Sequence, residues 1–305
     1  MDQLLAMRAF ARVVEAGSFT RAAESLNVPN ATMSKLVQEL EAHLGIRLLQ
    51  RTTRKVTVTA EGQDYYAKAT RILEDLQDID ASFNAARGKP RGNLRIDVGG
   101  LTAKDVLIPL LPDFMAIYPD IRIDLGVADR SVDLISESVD CVIRGGPLDN
   151  SSLVARTIGH AEMVTCATPA YLRQFGVPAY PEELKNGHRL VSYVSTQNGR
   201  AMPFRFQRDG EKIEIKVEHR IGVNESNAHF AAALAGLGIV QTFAHSARSA
   251  LRDGALVEIL AQWRPPAYPF HVVYPRNRYV THRLRVFLDW LIAHFPDKVR
   301  GTDRD

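Results

Sequence analysis

A tri-helical domain with a small β wing, one long helix and an α/β domain of two lobes is the fold class this sequence predicts. Three observations predict it. Between Ser18 and Thr59, two short helical patterns flank a proline-containing turn and lead into a basic, alternating segment. From Glu61 to Arg87 the apolar residues keep a heptad spacing, and from Asn93 onward strand-like and helix-like patterns alternate. At 305 residues the chain exceeds the usual size of one hydrophobic core.

The first helix is expected over Leu4–Glu15, with Leu4, Met7, Phe10, Ala11 and Val14 on one face and Gly17 ending it. Ser18 suits the N-cap of the next, because its hydroxyl can accept from an otherwise unpaired helix N–H. That helix carries Ala22, Ala23 and Leu26 before Asn27-Val28-Pro29 interrupts it. The third helix places Met33, Val37, Leu40 and Leu44 on one apolar stripe. Its other face presents Asn30, Ala31, Thr32, Ser34, Lys35 and Gln38, small or polar groups able to reach base edges and phosphates. No acid occurs between Leu44 and Thr59, whereas Arg47, Arg51, Arg54 and Lys55 are cationic. Arg54 to Thr59 alternates like a strand of a hairpin, which completes a winged helix-turn-helix over residues 1–60.

The run SFTRAAESLNV, then Ser34, then LVQELEAHLGIRLLQR and VTVTAEG, resembles the DNA-binding domain of LysR-type transcriptional regulators. The resemblance implies that the helix from Asn30 enters the major groove of double-stranded operator DNA. It also implies that Arg51 and Arg54 touch backbone or minor groove. The candidate contact set is Ser18, Thr20, Arg21, Asn30, Ala31, Thr32, Ser34, Lys35, Gln38, Arg51, Arg54 and Lys55. Pro29 stands where the family often has Ser, Asn30 where Gln is frequent, and Leu49 where Phe is frequent. Asn pairs with adenine at shorter reach than Gln, so these departures bear on which bases are read.

Residues 61–88 are expected to form a dimerising linker helix. Tyr65, Ala69, Ile72, Leu76, Ile79 and Phe83 alternate spacings of four and three, over roughly 38 Å at 1.5 Å per residue. The alternative is an amphipathic helix packed on its own domain. Gly88, Pro90 and Gly92 mark the boundary.

Beyond it, strands are expected at Leu94–Val98, Ile121–Leu125 and Asp140–Ile143, with helices after Thr102 and over Val132–Ser138. Thr102–Asp105 reads as a capping-box-like start; Pro109 and Pro112 make that helix's first turn irregular. A second set follows: strand Val164–Ala167, helix Pro169–Phe175, strand Leu190–Tyr193, and a hairpin of Phe204–Gln207 with Ile213–Val217. Then come a helix over Asn227–Ala235, strands Leu237–Thr242 and Phe270–Tyr274, and a last helix over Thr281–Phe295. Alternating elements argue for parallel sheet. The LysR resemblance continues in PLLPDFMAIYPDIRIDL, VDCVIRGG and GLGIVQTF. It implies an effector domain over 93–300 similar to type II periplasmic binding proteins, with one lobe near 93–162 and 268–296 and the other near 163–267.

Ligands of open α/β sheets collect beyond the carboxyl ends of strands. Gly100, Leu101 and Thr102 open a helix whose N–H groups suit a carboxylate. Arg144 and Gly145 follow a strand, as do Ser195, Thr196, Asn224 and Ser226. Gly99 and Gly100 serve equally for tight packing and Thr102 as a cap; Arg144, a cation whose glycine neighbours leave its approach open, is the leading ligand residue, with a structural ion pair as its alternative. The expected ligand is a small carboxylate or aromatic.

The net charge of +3 is compatible with a polyanion partner. Two cysteines, Cys141 and Cys166, give no disulfide framework, and the amphipathic N-terminus resembles neither a signal peptide nor a membrane span, so a cytoplasmic protein without membrane attachment is expected. The histidines show no metal-ligand spacing, and no G-x-S-x-G elbow, Walker loop or complete G-x-G-x-x-G turn occurs. The sequence therefore argues for no enzyme, metal or cofactor. The leading expectation is an effector-responsive bacterial transcription factor acting as a homodimer or homotetramer, meeting RNA polymerase if it activates. The alternatives are a redox sensor using Cys141 and Cys166, or an α/β enzyme with an accessory DNA-binding segment.

Overall fold

The computed structural model describes residues 1–51, 56–83, 89–130, 132–134, 137, 139–146, 153–216, 219–276 and 280–300. It divides into two compact units, Met1–Lys89 and Pro90–Asp305.

In the first unit, helix α1 (Gln3–Ala16) starts where the Asp2 carboxylate accepts from Leu5 N–H, and it stops at Gly17 with φ +61°. Ala6, Ala9, Phe10 and Val13 are fully buried, whereas Leu4 is exposed. The buried face is thus rotated from the expected stripe, because α1 must meet α2 (Phe19–Leu26), α3 (Asn30–Leu44) and a fourth helix at once. Ser18 holds the N-cap position with extended backbone, but its hydroxyl makes no capping bond. Asn27 ends α2 in the left-handed region, and Gly45 ends α3 likewise. Met33, Leu36, Val37 and Leu40 of α3 are buried.

Strands β1 (Leu49–Arg51) and β2 (Val56–Val58) form the antiparallel wing. The Glu41 carboxylate accepts from Leu48 and Leu49 N–H at 2.8 and 3.0 Å, tying the wing to α3. Helix α4 (Ala60–Phe83) starts where Thr59 Oγ1 accepts from Gly62 N–H at 2.9 Å. A Cβ on Gly62 would lie 2.1 Å from the Leu48 carbonyl oxygen, so only glycine lets α4 approach the wing.

The second unit holds two sheet systems. Strands β3 (Gly92–Val98), β4 (Ile121–Val127), β5 (Cys141–Gly145), β6 (Leu153–Ala161) and a strand near the C-terminus make a five-stranded sheet. Between β3 and β4 runs a continuous helical segment: α5 (Gly100–Thr102), a π turn (Ala103–Leu107) and α6 (Ile108–Ile117). Ile108 N–H reaches back to the Ala103 carbonyl. Pro109 has no N–H to offer, and the wider turn accommodates the missing ladder bond. This irregularity was expected; the capping box was not found. Thr102 lies inside the helix with φ −65° and caps nothing, and Gly99 is the N-cap.

The second layer is built from β7 (Met163–Ala167), α7 (Pro169–Phe175), β8 (Val191–Tyr193), the hairpin β9 (Phe204–Arg208) and β10 (Glu211–Ile215), and β11 (Ile221–Val223). It continues through α8 (Ser226–Leu234), β12 (Val240–Phe243), α9 (Ala244–Arg252) and β13 (Val257–Glu258). The chain then returns to the first layer as β14 (Tyr268–Pro275) and ends in α10 (His282–Arg300).

The five-stranded order is β4-β3-β5-β14-β6, with β3 parallel to β4 and β5, and β14 antiparallel to β5 and β6. The sheet is therefore mixed, not parallel throughout: β14 arrives from the second layer and enters from the opposite end. A core of Phe114, Phe287, Trp290 and Phe295 with Leu94, Ile96 and Val98 covers one side. Over the expected Val132–Ser138 helix, residues 132–134 and 137 are turn or irregular backbone, and residues 135, 136 and 138 lie outside the described set. The strand expected at Leu237 begins only at Val240, and the last helix runs on through Pro296. Strand β6 and helix α9 went unread in the sequence.

Candidate nucleic-acid interface and effector cleft

In the first unit, burying Met33, Val37 and Leu40 leaves the opposite face of α3 to solvent. Asn30, Ala31, Thr32, Lys35 and Gln38 are exposed and Ser34 is half-buried. Thr20 and Arg21 of α2 are exposed beside them, and Asn30 Nδ2 donates to Thr20 Oγ1 at 3.3 Å. Lys35 faces Glu39 at 3.9 Å, a loose pair that leaves the lysine 75% exposed and able to turn to a phosphate. Ser18 is half-buried. The backbone of Arg51 lies in β1, but its side chain, and all of Arg54 and Lys55, fall outside the described residues.

The seam read on α4 is used differently from its expectation at its start. Ala69 is fully buried and Tyr65 packs in the same core, its ring 5.7 Å from Phe10. Leu73 joins them. The first turns of α4 thus complete the three-helix core rather than face a second chain. Ile72 is 50% exposed and Leu76 half-buried, while the side chains of Ile79 and Phe83 lie outside the described set.

In the second unit four of the nine expected effector residues, Gly100, Leu101, Thr196 and Ser226, meet between the two layers. Leu101 N–H donates to Ser226 Oγ at 2.9 Å, and Gly100 N–H to the Asp129 carboxylate at 2.8 Å. Ser226 N–H donates to the same carboxylate, and Thr196 Oγ1 donates to the Asp129 carbonyl at 2.8 Å. A Cβ on Gly100 would stand 2.3 Å from a Glu225 carboxylate oxygen, so this glycine permits the approach of the layers. Thr102 is buried, and Asn224 is exposed and enters none of these bonds. Ser195 serves its own turn, with Oγ accepting from Gln197 N–H and its carbonyl from Gly199 N–H.

Arg144 was expected to be an open cation. Instead its Nη2 donates to the Asp97 carboxylate on β3, which is 8% exposed, and to the Arg130 carbonyl at 3.2 Å. The guanidinium is thus neutralised from within its own sheet. Gly145 is likewise not an open approach: a Cβ there would meet the Tyr268 ring at 2.4 Å. The glycines at the end of β5, Gly145 and Gly146, make room for Tyr268.

Sequence reasoning missed Asp129, Tyr193 and Tyr268. Burial raises the Tyr193 pKa first, with the Asp129 charge and a hydrogen bond to it adding to the rise. Burial also raises Tyr268, with Asp129 contributing. The signal available was positional: Asp129 follows a strand, as a ligand-facing residue would, but a single Asp in a loop is too common to single out.

Cys141 is fully buried, and burial raises its thiol well above the ordinary range. The Cys166 thiol is pushed up to about 12 by burial. Neither offers a thiolate, so redox sensing through them is not favoured. Among the described residues no cluster of His, Cys, Asp and Glu could hold a metal ion. Also among them, no helix is long and apolar enough to cross a membrane.

Comparison with known proteins matches this arrangement. Residues 4–63 match the model of the bacterial regulatory helix-turn-helix protein, lysR family, and residues 87–296 match the LysR substrate binding domain. The HTH-type transcriptional regulator YhjC of Escherichia coli (strain K12) is 38% identical over 291 residues, 95% of this chain and 97% of that protein. The regulator CrgA of Neisseria meningitidis serogroup B (strain MC58) is 33% identical over 293 residues, 96% of this chain and 97% of its own. The solved structure of CrgA from Neisseria meningitidis, a LysR-type transcriptional regulator, superposes with a TM-score of 0.61 at 33% identity, covering 95% and 98% of the two chains. That of the Vibrio cholerae virulence activator AphB gives 0.59 at 30% identity, covering 96% and 99%. These relatives are transcriptional regulators rather than enzymes. With a helix-turn-helix that exposes one polar face and an α/β unit whose two layers meet through polar contacts, the chain belongs to the LysR family of DNA-binding transcriptional regulators with an effector-binding domain.

Proposed function

We propose that α3 lies in the major groove of operator DNA, with Asn30, Thr32, Ser34 and Gln38 at base edges and Lys35 on a phosphate. Ser18, Thr20, Arg21 and Ala31 border the backbone, and Arg51, Arg54 and Lys55 of the wing flank it. The observation that carries this reading is the exposed polar face of α3, opposite a side buried by Met33, Val37 and Leu40. A second copy pairs along the later turns of α4, through Ile72, Leu76, Ile79 and Phe83; the 50% exposure of Ile72 supports this. Residues 1–60, 61–88 and 93–300 then serve as reader, dimerising helix and effector domain. The protein works in the cytoplasm as a dimer or tetramer, and meets RNA polymerase where it activates.

The effector is a small carboxylic acid, aromatic or not, held between the layers by the Gly100, Leu101 and Thr102 segment and by Thr196 and Ser226. Its occupancy shifts a population of domain states that differ in DNA affinity.

The test is binding to duplex DNA selected from a random library, measured at several salt concentrations. Lys35→Ala should weaken binding on every selected duplex and reduce the log–log salt slope by about one. An unchanged slope removes Lys35 from the phosphate backbone. Asn30→Ala should instead relax sequence preference at one position while leaving the salt slope intact.

A further inference from the structure

The cleft between the two layers is closed by a carboxylate of the chain itself. Asp129 stands two residues past the end of β4. One carboxylate oxygen accepts from Gly100 N–H at 2.8 Å, the other from Ser226 N–H at 2.5 Å. The first donor opens the continuous helical run from Gly100 in one layer, and the second opens α8 in the other. Each N–H belongs to a helix start, where the peptide dipoles favour negative charge. Tyr193 stands close by, its pKa raised by burial and by the Asp129 charge. The Asp129 backbone is held as well: Thr196 Oγ1 donates to its carbonyl, and Arg144, anchored on Asp97, bonds the carbonyl of Arg130.

Donors from both layers therefore converge on one side-chain carboxylate, which is how an acidic ligand spanning the cleft would be held. The surrounding glycines fit that purpose. A Cβ on Gly99 would stand 2.8 Å from the Asp129 carboxylate.

We propose that Asp129 is an internal stand-in for a ligand carboxylate: a latch joining the two layers, which a small carboxylic acid displaces when it takes the same N–H groups. The displacing ligand rests on the effector-cleft reading above; the latch does not. Two carboxylates cannot share these donors, because their charges repel at contact distance in a partly desolvated site. Entry of one requires departure of the other, and neutral or cationic compounds cannot replace it. Arg144 is then a positioning residue for the loop that carries the latch.

Hydrogen exchange on the full chain reads the latch directly. In Asp129→Ala, the amides of segments 99–102 and 225–228 should exchange about tenfold faster, both together, because they form one opening unit. Millimolar acetate should slow that exchange in the variant and leave the wild type unchanged, whereas chloride at equal ionic strength should do neither. Acceleration in one segment only, no acceleration, or equal rescue by chloride overturns the proposal. Asp129→Asn keeps the shape but turns an amide NH2 toward one of the two N–H donors; wild-type protection there would also overturn it, and this variant carries the readout if Asp129→Ala does not fold. DNA titration in the presence of small carboxylates separates the two readings. Rescue by acetate with DNA affinity indifferent to every carboxylate removes the effector reading and keeps the latch. A carboxylate response with exchange insensitive to Asp129 does the reverse.

Discussion

Arg144 shows what a single side chain can and cannot disclose. Its place after a strand and before two glycines was legible, and so was the alternative of a structural ion pair. Its partner was not, because Asp97 lies 47 residues earlier in the chain and meets it only when β3 and β5 pair in register. With Asp97 only 8% exposed, removing the cation leaves a carboxylate desolvated and uncompensated. Arg144→Ala should therefore cost roughly 3 kcal/mol, read as a lower unfolding midpoint for the second unit in urea. Asp97→Asn paired with Arg144→Ala should recover part of that loss. A fully stable Arg144→Ala would mean that the pair is too well solvated to matter.

Among the helices and strands, α3 was the most legible element, because it carries its own 3.6-residue periodicity and its own stop at Gly45. Helix α4 was legible in extent but not in role. A heptad seam records that one face is apolar, not which neighbour covers it, and Tyr65 and Ala69 are covered by Phe10 and the rest of the first unit. Gly62 is the glycine on which the wing depends. Gly62→Ala would put a methyl 2.1 Å from the Leu48 oxygen, where backbone must move. The expected result is a loss of about 2 kcal/mol for the first unit with weaker DNA binding, checked by thermal unfolding and by titration of the same duplex. Unaltered stability would show that the wing and α4 can separate freely. Strand β6 and helix α9 escaped notice for a shared reason. The first is edge-like and polar in its middle, and the second mixes alanine, serine and arginine with few large apolar residues, so neither period stands out.

For the whole molecule, the pH dependence of stability should carry the mark of His245. It sits in the first turn of α9, stacked on Phe243 with ring centroids 5.4 Å apart. Burial lowers its pKa to about 4, against a partial rise from Asp105. In the unfolded chain this imidazole takes a proton near pH 6.5, so between pH 6.5 and 4 the unfolded state holds more protons than the folded one. Stability is then complete above that window and falls as pH drops through it, by roughly 3 kcal/mol. Chemical denaturation at a series of pH values checks this, and His245→Gln should flatten the decline. A slope unchanged in that variant would assign the acid sensitivity to other groups.

Taken by itself, the sequence determined whatever is local. It placed the helix-turn-helix, most strands of the α/β unit and the boundary near residue 90, because periodicity, caps and breakers act over a few residues. It also marked Gly100, Leu101, Thr196 and Ser226 as cleft residues through their positions after strands. Only the tertiary structure decided what those groups face. The carboxylate between the layers comes from Asp129, the cation on Arg144 is spent on Asp97, and the glycines at the end of β5 admit Tyr268. Each of these is a contact between residues far apart in the chain, set by which strands lie side by side. A pattern of neighbours along the backbone carries no record of such pairings.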